Sequence, residues 1–126
     1  MRWIEGSLVA RGATAEVRRG APGTVVKTLT RDLPAIVMEL EAAGTRAAMA
    51  AGLPVPTLIA ANLDADPPSL TFDYVEGVEL AQSYAELGAA HVGTMLADLQ
   101  HRVRQVRAPQ VIAVEDFLGH QLLQAD

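Results

Sequence analysis

The sequence predicts an α+β protein: about five short antiparallel strands and one long helix within residues 1–77, followed by helices alone over residues 78–126. Three observations predict it. Alternating apolar runs bounded by glycine and proline turns fill residues 4–30 and 57–75; an alanine-rich segment of helical period lies between Pro34 and Gly52; past Gly77 the period becomes helical throughout.

The bulk composition narrows the function classes. A chain of 126 residues is long enough for one domain with a real core and short for two. Half the residues are hydrophobic but only 4% are aromatic, so the core must be built from Ala, Val and Leu. A formal net charge of -5 argues against general affinity for nucleic acid or for an anionic membrane, both of which need a cationic footprint. The absence of cysteine removes disulfides, thiolate metal sites and cysteine nucleophiles together. The start, Met1 to Glu5, lacks the apolar core of a secretory signal, and no run approaches the roughly 20 apolar residues of a membrane helix. A cytoplasmic location is therefore expected.

Three strands are expected first: Ser7–Ala10, Ala15–Arg19 and Thr24–Leu29. The connection from Arg11 to Thr14 is built of small residues, so its backbone can approach a ligand and its amides can point at an anion; equally, Gly12 can simply fit a left-handed turn. Gly20–Gly23 is ordinary turn chemistry. Alternation along Val25-Val26-Lys27-Thr28-Leu29 places Lys27 on the same face as Val25 and Leu29, the face expected to be buried. A lysine there is costly without a partner, and either snorkels to the sheet edge or pairs with a carboxylate or a phosphate.

The long helix is expected to start at Asp32 or Leu33 as cap, with Pro34 in its first turn, and to stop at Gly52. Ile36, Leu40, Ala43 and Ala47 share a narrow stripe that should pack on the sheet. Neither Glu39 nor Glu41 has a cation three or four positions away on its own helix, so a partner for either must come from elsewhere or be water. Leu53–Pro56 is extended by its prolines and feeds a fourth strand, Thr57–Ala61. A turn at Asp64–Pro68 leads to a fifth, Ser69–Val75, broken by Glu76-Gly77.

Beyond the break, Val78–Leu87 reads as a short helix and Ala89–Val106 as a longer one, with Val92, Leu96, Leu99, Val103 and Val106 on one stripe. The basic cluster His101–Arg107 lies at its C-terminal end, where cations suit the helix dipole, a reading preferred to a nucleic-acid patch. A further helix is expected over Val114–Leu123. Asp64 and Asp66 lack the glycine and distal glutamate of a calcium loop, and His91, His101 and His120 have no metal-site spacing.

Three segments in this order resemble a known family: Ala10–Val17 with Val25-Val26-Lys27, then Glu41 followed eleven residues later by Gly52-Leu53-Pro54-Val55-Pro56, then Leu70-Thr71-Phe72-Asp73-Tyr74-Val75-Glu76-Gly77. The arrangement resembles the protein-kinase-like fold, and specifically the aminoglycoside phosphotransferases. Leu96–His101 is similar to the family's helix before its catalytic loop, with Gln100 where the family commonly has histidine. The resemblance implies a nucleotide-binding N-lobe with hinge over residues 1–77 and the start of a helical C-lobe over 78–126. It implies ATP or GTP as cofactor, with the backbone of Gly12, Ala13, Thr14 and Ala15 over the triphosphate. Lys27 would hold the α- and β-phosphates and be held by Glu41. The Asp73 carbonyl and Val75 amide would bond the adenine edge, between Phe72 and Val17.

Two departures qualify the likeness. Ala10 stands where the family often has glycine. The likeness also covers only the first half of the family's domain, without the His-Gly-Asp catalytic loop, its asparagine or the later metal-binding aspartate. The resemblance thus implies nucleotide binding without turnover in this chain alone, with Mg2+ and a small-molecule hydroxyl acceptor belonging to the complete protein. Two alternatives stand beside it: a non-catalytic kinase-like module that binds a partner through the apolar surface left open on its helices, self-association being one way, and an α+β domain with no nucleotide site.

Overall fold

Turn chemistry sets the first three strands, β1 (Leu8–Arg11), β2 (Ala15–Arg19) and β3 (Thr24–Leu29), as an antiparallel meander in the computed structural model, which describes residues 2–30 and 32–106. Between β2 and β3 the Thr24 amide donates to the Ala21 carbonyl at 2.9 Å, with Pro22 second in the turn and Gly23 third at φ 82°. That is a type II turn, in which proline presets one dihedral and glycine supplies the positive φ. The β1–β2 connection differs from one expectation. Gly12 donates to the Ala15 carbonyl at 2.8 Å without a left-handed backbone, and a Cβ placed on it would meet only that carbonyl, at 3.8 Å.

The sheet is completed by β4 (Leu58–Asn62) and β5 (Ser69–Asp73), in the order β1-β2-β3-β5-β4 with every pair antiparallel. Pairing puts Val17, Lys27, Leu70 and Ala61 in one row and Arg19, Val25, Phe72 and Leu58 in the next. Directly paired residues share a face, so these two rows form one continuous, mostly apolar surface.

Helix α1 (Ile36–Ala50) covers part of it. The core is Leu29, Met38, Ala42 and Leu70, with Leu33, Val37, Leu58, Ala61, Leu63 and Phe72 packed around it. Of the stripe expected to face the sheet only Ala47 is buried, at 6%; Ile36 keeps 37% of its accessibility, whereas Met38 and Ala42, outside that stripe, are closed off at 0% and 1%. At about 100° per residue these lie across the helix from Ile36, Leu40 and Ala43. Both faces are apolar, so periodicity could not choose; the long, adaptable Met38 side chain fills the space over Leu70.

The ends of α1 also differ in kind. No side chain caps its start: Ala35 is the cap, and Pro34 precedes the helix. At the other end the Leu53 amide donates to Ala48 and the Gly52 amide to Met49, with Gly52 at φ 75°, the paired bonds of a Schellman motif. Gly52→Ala should therefore lower the unfolding free energy by about 1 kcal/mol. Urea titration should show the midpoint falling with an unchanged slope; an unshifted midpoint would refute the strain argument.

Strand β5 ends at Asp73, two residues earlier than expected, and β4 starts one residue later. Of the expected helix Val78–Leu87 only α2 (Tyr84–Leu87) forms; Leu80–Ser83 is turn. Val78 is 69% exposed, and a short helix without a packed face is marginal. Helix α3 (Ala89–Arg104) follows Gly88 and carries His101, Arg102 and Arg104 in its last turn. It buries only Val92, leaving Leu96, Leu99 and Val103 exposed. The expected helix Val114–Leu123 lies outside the described residues. Among those described, no helix is long and apolar enough to cross a membrane.

On the far side of the hairpin, Glu16 accepts from Arg11 Nη2 at 2.8 Å and Arg18 Nε at 2.9 Å. Arg18 first, then Arg11, holds the Glu16 carboxyl below the ordinary carboxylate range. A carboxyl whose folded pKa is depressed adds stability above its unfolded pKa and loses it as pH falls through the folded one. The protein should thus exceed a Glu16→Gln variant in stability at neutral pH, and the gap should close in acid below the ordinary glutamate range or in molar salt. Paired denaturation curves decide it; a gap persisting in acid would remove the ion-pair explanation.

Candidate functional site

The face that α1 only partly covers makes the site. Leu29 and Leu70 lie beneath the helix, Val17 and Val25 lie beyond it, Phe72 touches both the core and the cavity, and Lys27 stands at the boundary. Its ammonium cannot stay among aliphatic groups without a partner. Glu41 supplies one: Lys27 Nζ donates to Glu41 Oε1 at 2.6 Å, with 30% and 34% of the two side chains accessible. Glu39 points to solvent. The choice between the two glutamates, which helical periodicity left undecided and the resemblance gave to Glu41, follows from which side of α1 packs on the sheet.

A cavity of about 400 Å³ opens beside this pair. Strands β1 to β3 contribute Val9, Val17 and Val25; α1 contributes Glu41 and Thr45; Val55 and Pro56 come from the connection into β4; Phe72, Asp73, Tyr74 and Val75 close the other side. Its size and largely apolar walls suit a small organic ligand. At the rim, the Asp73 amide donates to the Thr57 carbonyl at 3.0 Å and the Tyr74 amide to Gly23 at 2.9 Å. The Val75 amide has no hydrogen-bond partner among the described residues.

Six of the residues expected at a site meet in this cavity: Val17, Lys27, Glu41, Phe72, Asp73 and Val75. Gly12, Ala13, Thr14 and Ala15 do not line it. Their turn closes on itself: the Gly12 amide is spent on Ala15, and the Thr14 carbonyl accepts from the Thr30 amide at 2.8 Å. Val9, Val25, Thr45, Val55, Pro56 and Tyr74 were missed as site residues. Thr45 lies one helical turn past Glu41, and Tyr74 alternates with Phe72, so two of them carried a readable signal.

Chemically, the arrangement offers a flat apolar slot, an unpaired backbone donor at its rim and a cation held by one carboxylate. Lys27 has three N–H donors; one is used by Glu41, leaving two for oxygen atoms of a ligand. Among the described residues no three His, Asp or Glu side chains gather as a metal site. No family model, curated protein or solved structure matches this chain.

Proposed function

We propose that this chain binds a nucleotide in the cavity beside Lys27, as the ATP- or GTP-binding portion of a small-molecule phosphotransferase resembling aminoglycoside phosphotransferases. The observation that carries the reading is the Lys27–Glu41 pair, set where the helix-covered core gives way to an apolar slot. In this role Lys27 meets phosphate oxygens while Glu41 fixes its direction, the purine lies between Val17 and Phe72, and the Val75 amide donates to the base edge. Transfer to an acceptor hydroxyl, with the magnesium and base it needs, belongs to the complete protein.

Calorimetric titration with Mg-ATP and Mg-GTP tests this. At least one should bind saturably, and Lys27→Ala should bind at least about tenfold more weakly. Equal heats for both proteins would end the proposal.

One feature favours a second reading. The exposed Leu96, Leu99 and Val103 on α3 form an apolar stripe suited to an interaction module that self-associates. Light scattering over a concentration series separates the two; a monomer at every concentration counts against the module.

A further inference from the structure

A second recess, of about 290 Å³, lies beyond the row that holds Arg19, Val25 and Phe72, and is lined by Arg2, Trp3, Arg19, Tyr74 and Glu76. It shares one wall, Tyr74, with the larger cavity. The recess is built rather than incidental. The Trp3 indole N–H donates to the Gly20 carbonyl at 3.0 Å, Arg19 Nη1 donates to Ser7 Oγ at 3.0 Å, and the Arg19 guanidinium lies 5.4 Å from the centre of the Trp3 ring. Trp3 and Tyr74 meet edge to face, with ring centres 5.3 Å apart. These contacts fix two aromatic surfaces and aim one guanidinium.

What they leave is charge without a partner. Every ion pair among the described residues lies elsewhere, so Arg2, Arg19 and Glu76 share a recess and none is paired. Arg2 makes no hydrogen bond at all among those residues, and Arg19 spends one of its five donors. A forked donor set beside aromatic surfaces matches an oxyanion carried on a flat apolar body. Glu76 opposes such an anion without cancelling two guanidiniums.

We infer that this recess binds a small aromatic oxyanion, a carboxylate or a phosphate monoester, with its oxygens on Arg2 and Arg19 and its ring against Trp3 and Tyr74. Trp3 is the single tryptophan of the sequence, so its emission reports on the recess directly.

Benzoate, phenyl phosphate and the neutral benzamide serve as probes, followed by Trp3 fluorescence and calorimetry. At least one anion should bind saturably, with benzamide at least about tenfold weaker; the better anion decides between the two oxyanions. Arg2→Gln removes an exposed side chain that makes no hydrogen bond or ion pair among the described residues, so the fold should persist, yet it should weaken the anion about tenfold, as should Arg19→Lys. Glu76→Gln should tighten it. Lys27→Ala should leave it unchanged, which keeps this site's failure apart from that of the nucleotide cavity. The inference falls if neither anion saturates, if benzamide binds equally, if both arginine variants bind as the parent does, if Glu76→Gln weakens binding, or if Lys27→Ala abolishes it.

Discussion

Shortening Leu70 to alanine is expected to lower the unfolding free energy by about 3–5 kcal/mol, the largest loss available to a single substitution in this core. Leu70 and Met38 are the two large side chains that are completely buried. Around them the core is supplied by the buried Leu29 and Ala42 and by partly exposed aliphatics, so little can move in to fill the void. Leu70 also pairs with Lys27 on one side and Ala61 on the other, so the cavity would form under the strands that carry the site. For a domain whose whole stability is about 5–15 kcal/mol, that is a large fraction. Ile36→Ala, on the open side of α1, should cost below about 1 kcal/mol. Urea denaturation of both variants checks the contrast, and equal losses would mean that the core has been drawn on the wrong face of the helix.

The second large effect concerns binding. Lys27→Ala, Glu41→Ala and the double variant form a thermodynamic cycle with Mg-ATP as ligand. Lys27→Ala should lose at least about tenfold in affinity, and Glu41→Ala less, because a free lysine still meets phosphate but must be ordered first. The double variant should bind no worse than Lys27→Ala alone, since Glu41 acts through the lysine. Additive losses would contradict that division of roles. Unfolding does not confuse the result: with about a third of each side chain accessible, solvent screens the pair and limits its contribution to stability to about 1 kcal/mol.

Much of this architecture was legible in the residues. All five strands and the two long helices lie where alternation, prolines and glycines put them, because turn and stop signals act locally; Gly23 and Gly52 need only their own φ. Lys27 could be placed on the apolar face for the same reason. The side of α1 that packs on the sheet was not legible. Ile36, Leu40 and Ala43 look as apolar as Val37, Met38 and Ala42, and only the sheet beneath chooses. That choice sets Glu41 rather than Glu39 beside Lys27, a pairing that helical periodicity left open and that only the family resemblance implied. The cavity walls Val9, Val55 and Pro56 were illegible likewise, since their meeting depends on register and on where the connection into β4 passes. The recess at Trp3 needed a residue near one end of the chain to reach a strand terminus some 70 positions away.

Strand β5 lies between β3 and β4, although α1 and β4 separate it from β3 along the chain. Its partners on β3 are about 40 to 50 positions distant, whereas those joining β2 to β3 are near neighbours. The three-strand meander and the β4–β5 hairpin can each form by closing short loops; the seam between them needs the long closure, with its greater entropic cost. Val17, Val25 and Lys27 lie on one side of that seam and Phe72, Tyr74 and Val75 on the other. The pocket therefore straddles the least local pairing of the sheet, and a ligand that fills it bridges both sides of that seam.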